Sequence, residues 1–281
     1  MRLGINQPNF LPYLGYIALV KHVDQFILFD TAQFERHGWM ERNRVLKQAD
    51  GGWQYVSVPL EKHSQKTAIR DIRINNSTDW RKRILKQLQL YAKAPYYRDV
   101  IGLMQRILCS DYGKLVDLDR VCLEEICTYL GIDTPITVFS EMGLEIGEVK
   151  EPDEWALNIC KAIPDAGEYW NLPKGRTFFD TKKYEQNGID LQFMDIEITE
   201  YKQLRNDFEG RLSIVDVMMF NGVDEVNRML DNYKLSGGGY LDVKLLRITE
   251  CVISLKNRNP IRSAVCVNIC FGKYMWLGLR I

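Results

Sequence analysis

The first thirty residues are arranged as strand, helix and strand, and this order constrains the fold more than any other feature of the sequence. Residues 2–6 form a short apolar strand signal, and two prolines soon after it prevent the strand from continuing. Residues 13–23 carry apolar side chains at helical spacing, and the run 26–29 is typical of a strand covered on both faces. Two strands joined by a helix form a βαβ unit, which predicts a parallel sheet.

The remainder of the chain repeats this alternation around a helical middle. Between residues 79 and 131, three segments show the apolar spacing of amphipathic helices and are separated by clear breaks; they are 80–91, 97–108 and 115–130. Further strands are predicted at 53–58, 69–74, 136–139, 168–171 and 189–196, and further helices at 151–162, 181–186, 213–222 and 224–232. The predicted fold class is α/β, a mostly parallel Rossmann-like sheet flanked by helices, with a helical middle insertion.

The predicted domain organisation divides the chain near residue 235. Residues 1–235 are expected to form one α/β domain, whose helical section covers 79–131. Residues 236–239 read Ser-Gly-Gly-Gly, which is typical of a linker, and 240–281 are interpreted as an appended tail that is either a strand pair or poorly ordered. The arginine-rich segment 36–48 is interpreted as a loop.

Charge and cysteine usage narrow the classes of partner and compartment. The chain has 37 Lys and Arg residues against 37 Asp and Glu residues, so its total charge does not attract nucleic acid or an anionic membrane. Seven cysteines that lie on apolar segments without a C-x-x-C pair indicate reduced, buried thiols and predict a cytoplasmic protein. No segment reaches the roughly 18 apolar residues of a membrane span. With three histidines and no paired cysteines, no metal site is predicted.

Polar side chains follow both strands of the βαβ unit. Gln7 and Asn9 follow the first strand, and Asp30 follows the second. Ligands of open α/β sheets bind outside the carboxyl ends of the strands, so these three side chains are candidates for contact with a ligand. Amides at a strand end need a hydrogen-bond partner, which favours ligand contact for Gln7 and Asn9. Asp30 is either a base or hydroxyl binder, or the cap of the following loop.

The arginine-rich segment after the second strand is a candidate anion site. Arg36, Arg42 and Arg44 lie among only two acids, and arginines near strand ends bind phosphate or carboxylate through paired hydrogen bonds. The alternative is a solvated charged face, although the interleaved Trp39 argues against it. His37 is a general-base candidate because the chain has so few others.

The turn between the first strand and the first helix also suggests nucleotidyl transfer. A proline-containing turn with a glycine in the first helical turn is how nucleotidyl transferases of the HIGH class hold ATP phosphates. That class needs two histidines where this chain has Tyr13 and Tyr16, and tyrosine cannot supply an imidazolium for the phosphate. The alternative is that both tyrosines pack the helix.

Several separated boxes resemble the WbqC-like protein family. They include the run GINQPNFLPYLGYIALVKHVDQFILFDTAQFERHGWMERNRV, Trp80, Tyr91 before Lys-Ala-Pro-Tyr, Leu-Gly-Ile at 130–132, Tyr201-x-Gln203, and Leu-Ser-Ile-Val-Asp at 212–216. The resemblance covers about residues 3 to 235. Two positions depart from the family pattern: its histidine before Gln-Pro is Asn6 here, and its small glycine-rich segment is replaced by residues 171–176. The matching positions are Gln7, Pro8, Asn9, Asp30, Gln33, Trp39, Arg42, Asn43, Arg44, Gln203 and Asp216.

The resemblance implies a transferase of bacterial surface-glycan (O-antigen) biosynthesis, acting by acyl or aminoacyl transfer to the amine of an amino-sugar nucleotide. The predicted catalytic residues are Asp30, His37 and Asp216. The predicted substrate-binding residues are Gln7, Asn9, Gln33, Arg36, Trp39, Arg42, Asn43, Arg44 and Gln203. No cofactor is expected, the donor being a thioester or an activated amino acid, and the expected partners are a nucleotide-sugar and, as a further candidate, a carrier protein. The alternatives are a non-catalytic nucleotide-sugar binding module and a nucleotidyltransferase.

Overall fold

The computed structural model describes residues 1–47 and 51–237, and within them six strands form one sheet. Residues 238–281, which hold most of the predicted linker and tail, lie outside the described residues. The strands of the sheet are β1 (Arg2–Asn6), β2 (Gln25–Leu28), β5 (Ile136–Val138), β6 (Glu168–Asn171), β7 (Asp190–Ile196) and β8 (Tyr233–Gly237). A separate antiparallel pair consists of β3 (Arg42–Leu46) and β4 (Trp53–Ser57).

The spatial order of the sheet is β5-β2-β1-β6-β7-β8. The first five of these strands are parallel to their neighbours, and β8 pairs antiparallel with β7. The predicted mostly parallel sheet is therefore confirmed. Its central strand, β1, contains Gly4, and a Cβ atom there would lie 2.7 Å from the ring of Phe26 on β2. Only glycine allows that ring to pack so closely on the middle of the sheet.

Eight α-helices within the described residues flank the sheet. They are α1 (Leu14–His22), α2 (Trp80–Leu88), α3 (Tyr97–Leu108), α4 (Leu115–Leu130), α5 (Glu154–Ala162), α6 (Thr181–Gln186), α7 (Ile214–Phe220) and α8 (Val223–Leu230). α3 and α4 begin and end at the predicted residues because their apolar spacing and their breaks are unambiguous. α4 ends at Gly131, whose left-handed backbone (φ 70°) closes the helix.

Alternating side chains of the strands feed two apolar cores on opposite faces of the sheet. Leu3 and Ile5 of β1 join the core formed with α5 and α6. Phe26 and Leu28 of β2 join the larger core, to which α1, α4, α7, α8 and the β3–β4 pair contribute. Both faces of the sheet are thereby covered, which leaves its carboxyl-terminal edge as the place where polar side chains collect.

Two local predictions were wrong, each for a physical reason. The loop predicted at 36–48 contains β3, whose buried Asn43 and Val45 alternate with partly exposed arginines, so the arginine content concealed a strand pattern. The strand predicted at 69–74 begins instead as a 3-10 helix, Ile69–Asp71, because Ile69 and Ile72 are buried on one side at helical spacing.

Two further observations concern the predicted linker and the length of the helices. Ser236 and Gly237, predicted to lie in a linker, form the end of β8 and pair with β7. No helix among residues 1–47 and 51–237 is long and apolar enough to cross a membrane.

Candidate functional site

The turn after β1 is held by hydrogen bonds to its main-chain carbonyls, which leaves polar side chains of the turn available for other contacts. The buried Tyr16 hydroxyl donates to the Gln7 carbonyl at 2.8 Å. The Ser213 hydroxyl donates to the carbonyl of Leu11 at 2.7 Å, and Leu11 itself adopts a left-handed backbone with φ 46°. A non-glycine residue in that conformation is strained and is kept only where the surrounding structure fixes it. The Gln7 side chain is half-buried and makes no hydrogen bond within the described residues.

Tyr13 and Tyr16 are packing residues with neutral hydroxyls. Burial raises the pKa of Tyr13 to about 12 and that of Tyr16 well above its usual range. Tyr16 also contacts the Phe26 ring edge-on, with ring centroids 5.3 Å apart. Neither phenol supplies a positive charge to a phosphate, which favours the packing interpretation over nucleotidyl transfer.

Asp30 lies at the end of β2 and is completely buried. Its carboxylate accepts hydrogen bonds from the Ser140 amide at 3.0 Å and the Ser140 hydroxyl at 2.5 Å, and its carbonyl accepts from the Arg70 amide. Asp30 therefore ties the loop after β5 and the segment at Arg70 to the end of β2. In this arrangement both carboxylate oxygens accept from Ser140, which lies 110 residues away and not in the loop that follows Asp30. The base and capping interpretations of Asp30 both stay predictions.

Asn43 joins the turn after β1 to the β3–β4 pair. Its side-chain amide donates to the Phe10 carbonyl at 3.1 Å and to the Asn9 side chain at 3.4 Å, while its oxygen accepts from the Arg44 amide at 2.9 Å. The Phe10 amide also donates to the carbonyl of Trp39 at 2.9 Å. The structure thus brings together Asn9, Asn43, Trp39 and Arg44 through a buried amide.

Arg42 and Arg44 stack on aromatic rings. The guanidinium carbon of Arg44 lies 5.4 Å from the Trp39 ring centre and 5.1 Å from that of Trp53, and Arg42 lies 3.9 Å from the Tyr55 ring centre. Terminal nitrogens of Arg42 and Arg44 donate to main-chain carbonyls, those of His37 and Arg211 respectively. Neither guanidinium forms an ion pair with a carboxylate anywhere in the described residues.

His37 lies on the surface beside these arginines. Its side chain is 77% exposed, and the Glu41 carboxylate lies 3.7 Å from its Nδ1 and accepts a hydrogen bond from its main-chain amide. His37 adopts a left-handed backbone with φ 61°, a conformation in which histidine is over-represented among non-glycine residues. Strained residues cluster at functional sites, and this one is fixed by Glu41 and by Arg42, which binds its carbonyl at 2.6 Å.

Gln33 and Arg36 are joined to the segment 61–68 instead. Gln33 forms an isolated bridge with Ala68, and Arg36 donates to the ring and carbonyl of His63 at 3.3 and 3.0 Å. The segment 61–68 thus contacts two predicted substrate-binding residues. The Gln33 side chain itself is exposed.

Gln203 and Asp216 belong to what we call the carboxylate network, formed by Asp216, Tyr91, Tyr201 and Gln203. Asp216 is completely buried and accepts hydrogen bonds from the hydroxyls of Tyr91 (2.6 Å) and Tyr201 (2.5 Å) and from the amide of Gln203 (2.8 Å). Burial raises the pKa of Asp216, while the three donors act in the opposite direction. No hydrogen bond joins Asp216 to Gln7, Asn9 or Asp30 in the part of the chain that the structure describes.

The carboxylate network fixes the segment 203–214, which makes hydrogen bonds to two other segments of the candidate site. The Gln203 oxygen accepts from the Glu209 amide at 2.8 Å, which shapes the loop leading to Ser213. The Ser213 amide donates to the Arg44 carbonyl at 2.8 Å, and the next amide along the chain, that of Ile214, donates to the Pro12 carbonyl at 2.7 Å. Residues from the end of the domain therefore hold together two segments from its beginning.

Sequence reasoning missed four side chains that complete these contacts. Ser140 carried no signal, because a serine after a strand is commonplace. Trp53 and Tyr55 alternate along β4 after an arginine-rich segment, which was a usable signal. Asn171 was noticed only as a departure from the family pattern; its side-chain oxygen Oδ1 accepts a hydrogen bond from the Asn6 side-chain amide at 3.2 Å, linking the ends of β6 and β1.

A buried carboxyl group on α4 was also missed. Asp119 is 1% exposed, and neither of its oxygens has a hydrogen-bond partner among the described residues. Burial raises its pKa well above the usual range. Burial, and after it the neighbouring Asp119, also raises the pKa of Tyr16 and of Cys122. Asp119 therefore lies beneath the helix that follows the turn after β1.

The arrangement of possible metal ligands and the burial of thiols can be described for residues 1–47 and 51–237. No group of three or more His, Cys, Asp or Glu side chains there is arranged to hold a metal ion. Cys122, Cys127 and Cys160 are buried, and burial raises the pKa of Cys127 and Cys160 to about 12. Cys109, expected to be buried, is exposed because it follows the last turn of α3.

Comparisons with known proteins place this chain among relatives. A family model described as the WbqC-like protein family matches residues 7–228. An uncharacterized protein of Mycobacterium tuberculosis, Rv1507c, is 30% identical over 227 residues, which are 79% of this chain and 95% of that protein. No solved structure matches the chain.

Proposed function

The chain belongs to the WbqC-like protein family, and from that premise we propose that it is a transferase of bacterial surface-glycan biosynthesis. The proposed reaction moves an acyl or aminoacyl group from a thioester or activated amino acid to the amine of an amino-sugar nucleotide. The family supplies the expectation of a transferase, and the geometry around His37 supplies the chemistry.

The observation that carries the proposal is the exposed imidazole of His37 with a carboxylate behind it. Glu41 faces the Nδ1 side of the ring at 3.7 Å, which favours a ring orientation with Nε2 toward solvent. Histidine is the side chain best suited to accept a proton near neutral pH, and an adjacent carboxylate stabilises the imidazolium that results. A base of this kind is what an attacking amine requires.

Arg42 and Arg44 support the second half of the proposal, the anionic acceptor. Both lie beside His37 in the fold, Arg42 through a direct hydrogen bond, and both lack a carboxylate partner in the described residues. Guanidinium groups held in place by rings and carbonyls are suited to bind the diphosphate of a nucleotide-sugar. The phosphates would then hold the sugar amine near the imidazole.

The proposed step balances without a cofactor. The amine nitrogen of the sugar attacks the thioester carbonyl, a C–N bond forms, and the C–S bond breaks. His37 Nε2 accepts the proton that the nitrogen loses, and the thiolate leaving group takes up a proton in turn. Acyl transfer from a thioester to an amine requires proximity, a base and donors to the oxyanion, and the half-buried amides of Gln7 and Asn9 are the proposed donors.

Asp30 and Asp216 have different proposed roles from His37. Both are completely buried and already accept hydrogen bonds on both oxygens. We assign them to positioning: Asp30 holds the loop after β5, and Asp216 holds the loop before α7. The sequence-based prediction that they are catalytic stays a prediction.

The alternative function is a non-catalytic nucleotide-sugar binding module. It is favoured by the burial of Asp30 and Asp216, because carboxylates that already accept hydrogen bonds on both oxygens are poorly placed to act as bases. If His37 is only a surface residue, no other exposed base with a supporting carboxylate remains among the described histidines. His22 is half-buried against Asp231, and His63 is bonded to Arg36. The module would bind the same ligand through Arg42 and Arg44 without consuming a donor.

The decisive experiment follows turnover and binding in parallel. The full chain is incubated with a panel of amino-sugar nucleotides and acyl thioesters, with product detected by mass and released thiol by a thiol reagent. His37→Gln is expected to lower kcat by about 10²–10⁴-fold with little change in the affinity for the sugar nucleotide. His22→Gln is the matched control and is expected to retain turnover.

The two functions predict different results in this assay. Turnover that survives His37→Gln unchanged contradicts the proposed base. Saturable binding of the sugar nucleotide with no product from any thioester or activated amino acid supports the module instead.

A further inference from the structure

The β3–β4 pair presents one face to solvent, which we call the outer face and define as Arg42, Arg44, Trp53 and Tyr55 together with the adjacent Trp39. The register pairs Arg44 with Tyr55, and Leu46 with Trp53. Side chains two residues apart on a strand point to the same side, so the arginines and the aromatic residues lie on one face. Asn43 and Val45 point the other way and are buried.

The outer face alternates rings and cations. Arg44 contacts the rings of both Trp39 and Trp53, and Arg42 stacks on Tyr55. The rings of Trp53 and Tyr55 meet edge-on, with centroids 4.9 Å apart. Trp39 and Trp53 are nevertheless 41% and 37% exposed, which is unusual for large aromatic side chains that have no ligand or partner to cover them.

The two arginines on this face have unused hydrogen-bonding capacity. In each, the Nε–H is buried from solvent and has no hydrogen-bond partner among the described residues. Within those residues, neither guanidinium meets a carboxylate. Two like charges two residues apart on a strand repel each other, and an anion placed between them would remove that repulsion. The ring contacts and the hydrogen bonds to main-chain carbonyls hold both guanidinium groups in place before any ligand arrives.

We propose that the outer face is the nucleotide subsite of this protein and takes a nucleoside diphosphate. The base stacks on the exposed ring of Trp53, and the diphosphate binds the guanidinium groups of Arg42 and Arg44. This inference rests on the proposed function, which it deepens by naming the part of the substrate that the β3–β4 pair recognises.

Both halves of the ligand follow from the chemistry of the face. A base supplies a flat π surface for an exposed indole, and a diphosphate supplies the negative charge that the arginines lack. A sugar alone has no charge for Arg42 and Arg44. A nucleic acid would need a long basic surface, whereas this chain has equal numbers of positive and negative side chains.

The test measures binding by calorimetry with the full chain. The probes are UDP, GDP, CDP, ADP and TDP, with uridine and inorganic pyrophosphate as the two halves. At least one nucleoside diphosphate is expected to bind 10-fold or more tightly than either half. Trp53→Leu is expected to weaken that nucleotide about 5- to 150-fold, the contribution of stacking one base, and to leave pyrophosphate binding unchanged. Arg44→Gln is expected to weaken both.

Matched controls separate binding from folding. Tyr96→Leu removes an aromatic side chain that is also 37% exposed, and Arg106→Gln removes an arginine that pairs with Glu125 on the helical side. Both controls are expected to bind nucleotide as the parent chain does. A thermal melt of each variant verifies that it is folded.

Three results would overturn the inference. They are equal affinity for the nucleotide in Trp53→Leu and the parent chain, no binding of any nucleoside diphosphate, and tighter binding of a ten-residue single-stranded RNA than of every mononucleotide. The inference and the proposed function fail separately. If nucleotide binding depends on Trp53 but no group is transferred, the subsite is supported and the transferase function is contradicted. If transfer occurs and Trp53→Leu does not affect it, the transferase function is supported and the subsite is contradicted.

Discussion

The outer face of the β3–β4 pair and the carboxylate network both consist of polar side chains in contact with aromatic ones. They differ in whether the hydrogen-bonding and charged groups already have partners. In the network, Asp216 has a donor on each oxygen and no exposed surface. On the outer face, Arg42 and Arg44 carry charge that no carboxylate in the described residues neutralises, next to exposed indoles.

This difference separates residues that hold the site from residues able to bind a ligand. A buried polar group with all its hydrogen bonds made stabilises one conformation, and removing it leaves its partners unsatisfied. A group with spare donors contributes less to stability and more to recognition. The comparison therefore predicts that variants of the network lose stability, whereas variants of the ligand-facing groups lose binding or turnover.

The largest effect is expected for Asp216→Asn. The new NH2 group would replace one of the two accepting oxygens, so at least one buried donor, that of Tyr91 in one orientation or those of Tyr201 and Gln203 in the other, loses its acceptor. We expect the free energy of unfolding to fall by about 3 kcal/mol, measured by urea denaturation. Asp207→Asn, in the exposed part of the same loop, is the control and should have no effect. A loss no larger than the control's would mean that the network does not brace the fold.

Asp119 gives a pH test of a carboxyl group that is buried but unpaired. Burial raises its folded-state pKa, so the folded chain keeps a proton that the unfolded chain loses above about pH 4. Unfolding then releases that proton, and stability falls as pH rises from the unfolded pKa toward the folded pKa.

Asp119→Asn is expected to remove this slope. Between pH 5 and pH 7, the free energy of unfolding of the parent chain should fall relative to that of the variant by up to about 1.4 kcal/mol per pH unit. Urea denaturation at a series of pH values measures it. Asp117→Asn, on the more exposed side of α4, should keep the parent slope. Parallel pH profiles for the parent chain and Asp119→Asn would contradict a raised pKa.

An intermediate effect on both properties is expected for Asn43→Ala, because Asn43 joins the two kinds of region. Its loss leaves the Phe10 carbonyl and the Arg44 amide without their buried partner. We expect about 2 kcal/mol of lost stability together with weaker nucleotide binding in calorimetry. Gln54→Ala on the neighbouring strand controls for loss of a side-chain amide. Reduced stability with unchanged binding would separate Asn43 from the site.

The smallest effect on stability is expected for Gln7→Ala. The Gln7 side chain makes no hydrogen bond in the described residues, so the free energy of unfolding should change by less than about 0.5 kcal/mol. Turnover in the transferase assay should nevertheless fall, because the proposed oxyanion donor is gone. An unchanged kcat would remove Gln7 from the proposed chemistry and leave it as a surface amide.

The sequence predicted the sheet and most helices because their signals are local. Apolar spacing fixes α3 and α4 within the chain itself, and the βαβ unit is complete in the first thirty residues. β3 was missed because the arginines on its outer face resemble a loop until β4 is placed beside it. The antiparallel pairing of β8 with β7 depends on residues far apart in the chain, which no local pattern encodes.

For the candidate site, the sequence identified many of the polar residues but not their roles. Asp30 and Asp216 were predicted to be catalytic from their residue type and from family matches, but burial and hydrogen-bond partners are properties of the folded chain. Asp119 gave no signal at all, since an aspartate within an amphipathic helix is usually exposed. A residue that stabilises the site differs from one that can bind a ligand in whether its hydrogen-bonding groups and charge already have partners. Those partners can be identified only in the folded structure.

The hydrogen bond from Ser213 to Leu11 has a consequence for synthesis of the protein. The Ser213 hydroxyl and the Leu11 carbonyl that it binds are 202 residues apart. At about 5–20 residues per second, a ribosome needs on the order of 10–40 s to make the intervening chain. The nascent chain therefore carries its polar turn and arginine-rich strand for most of translation with the Asn43 connection but without the second one, which Ser213 supplies. Premature termination before residue 213 would release fragments that contain nearly every proposed ligand contact and no closed site.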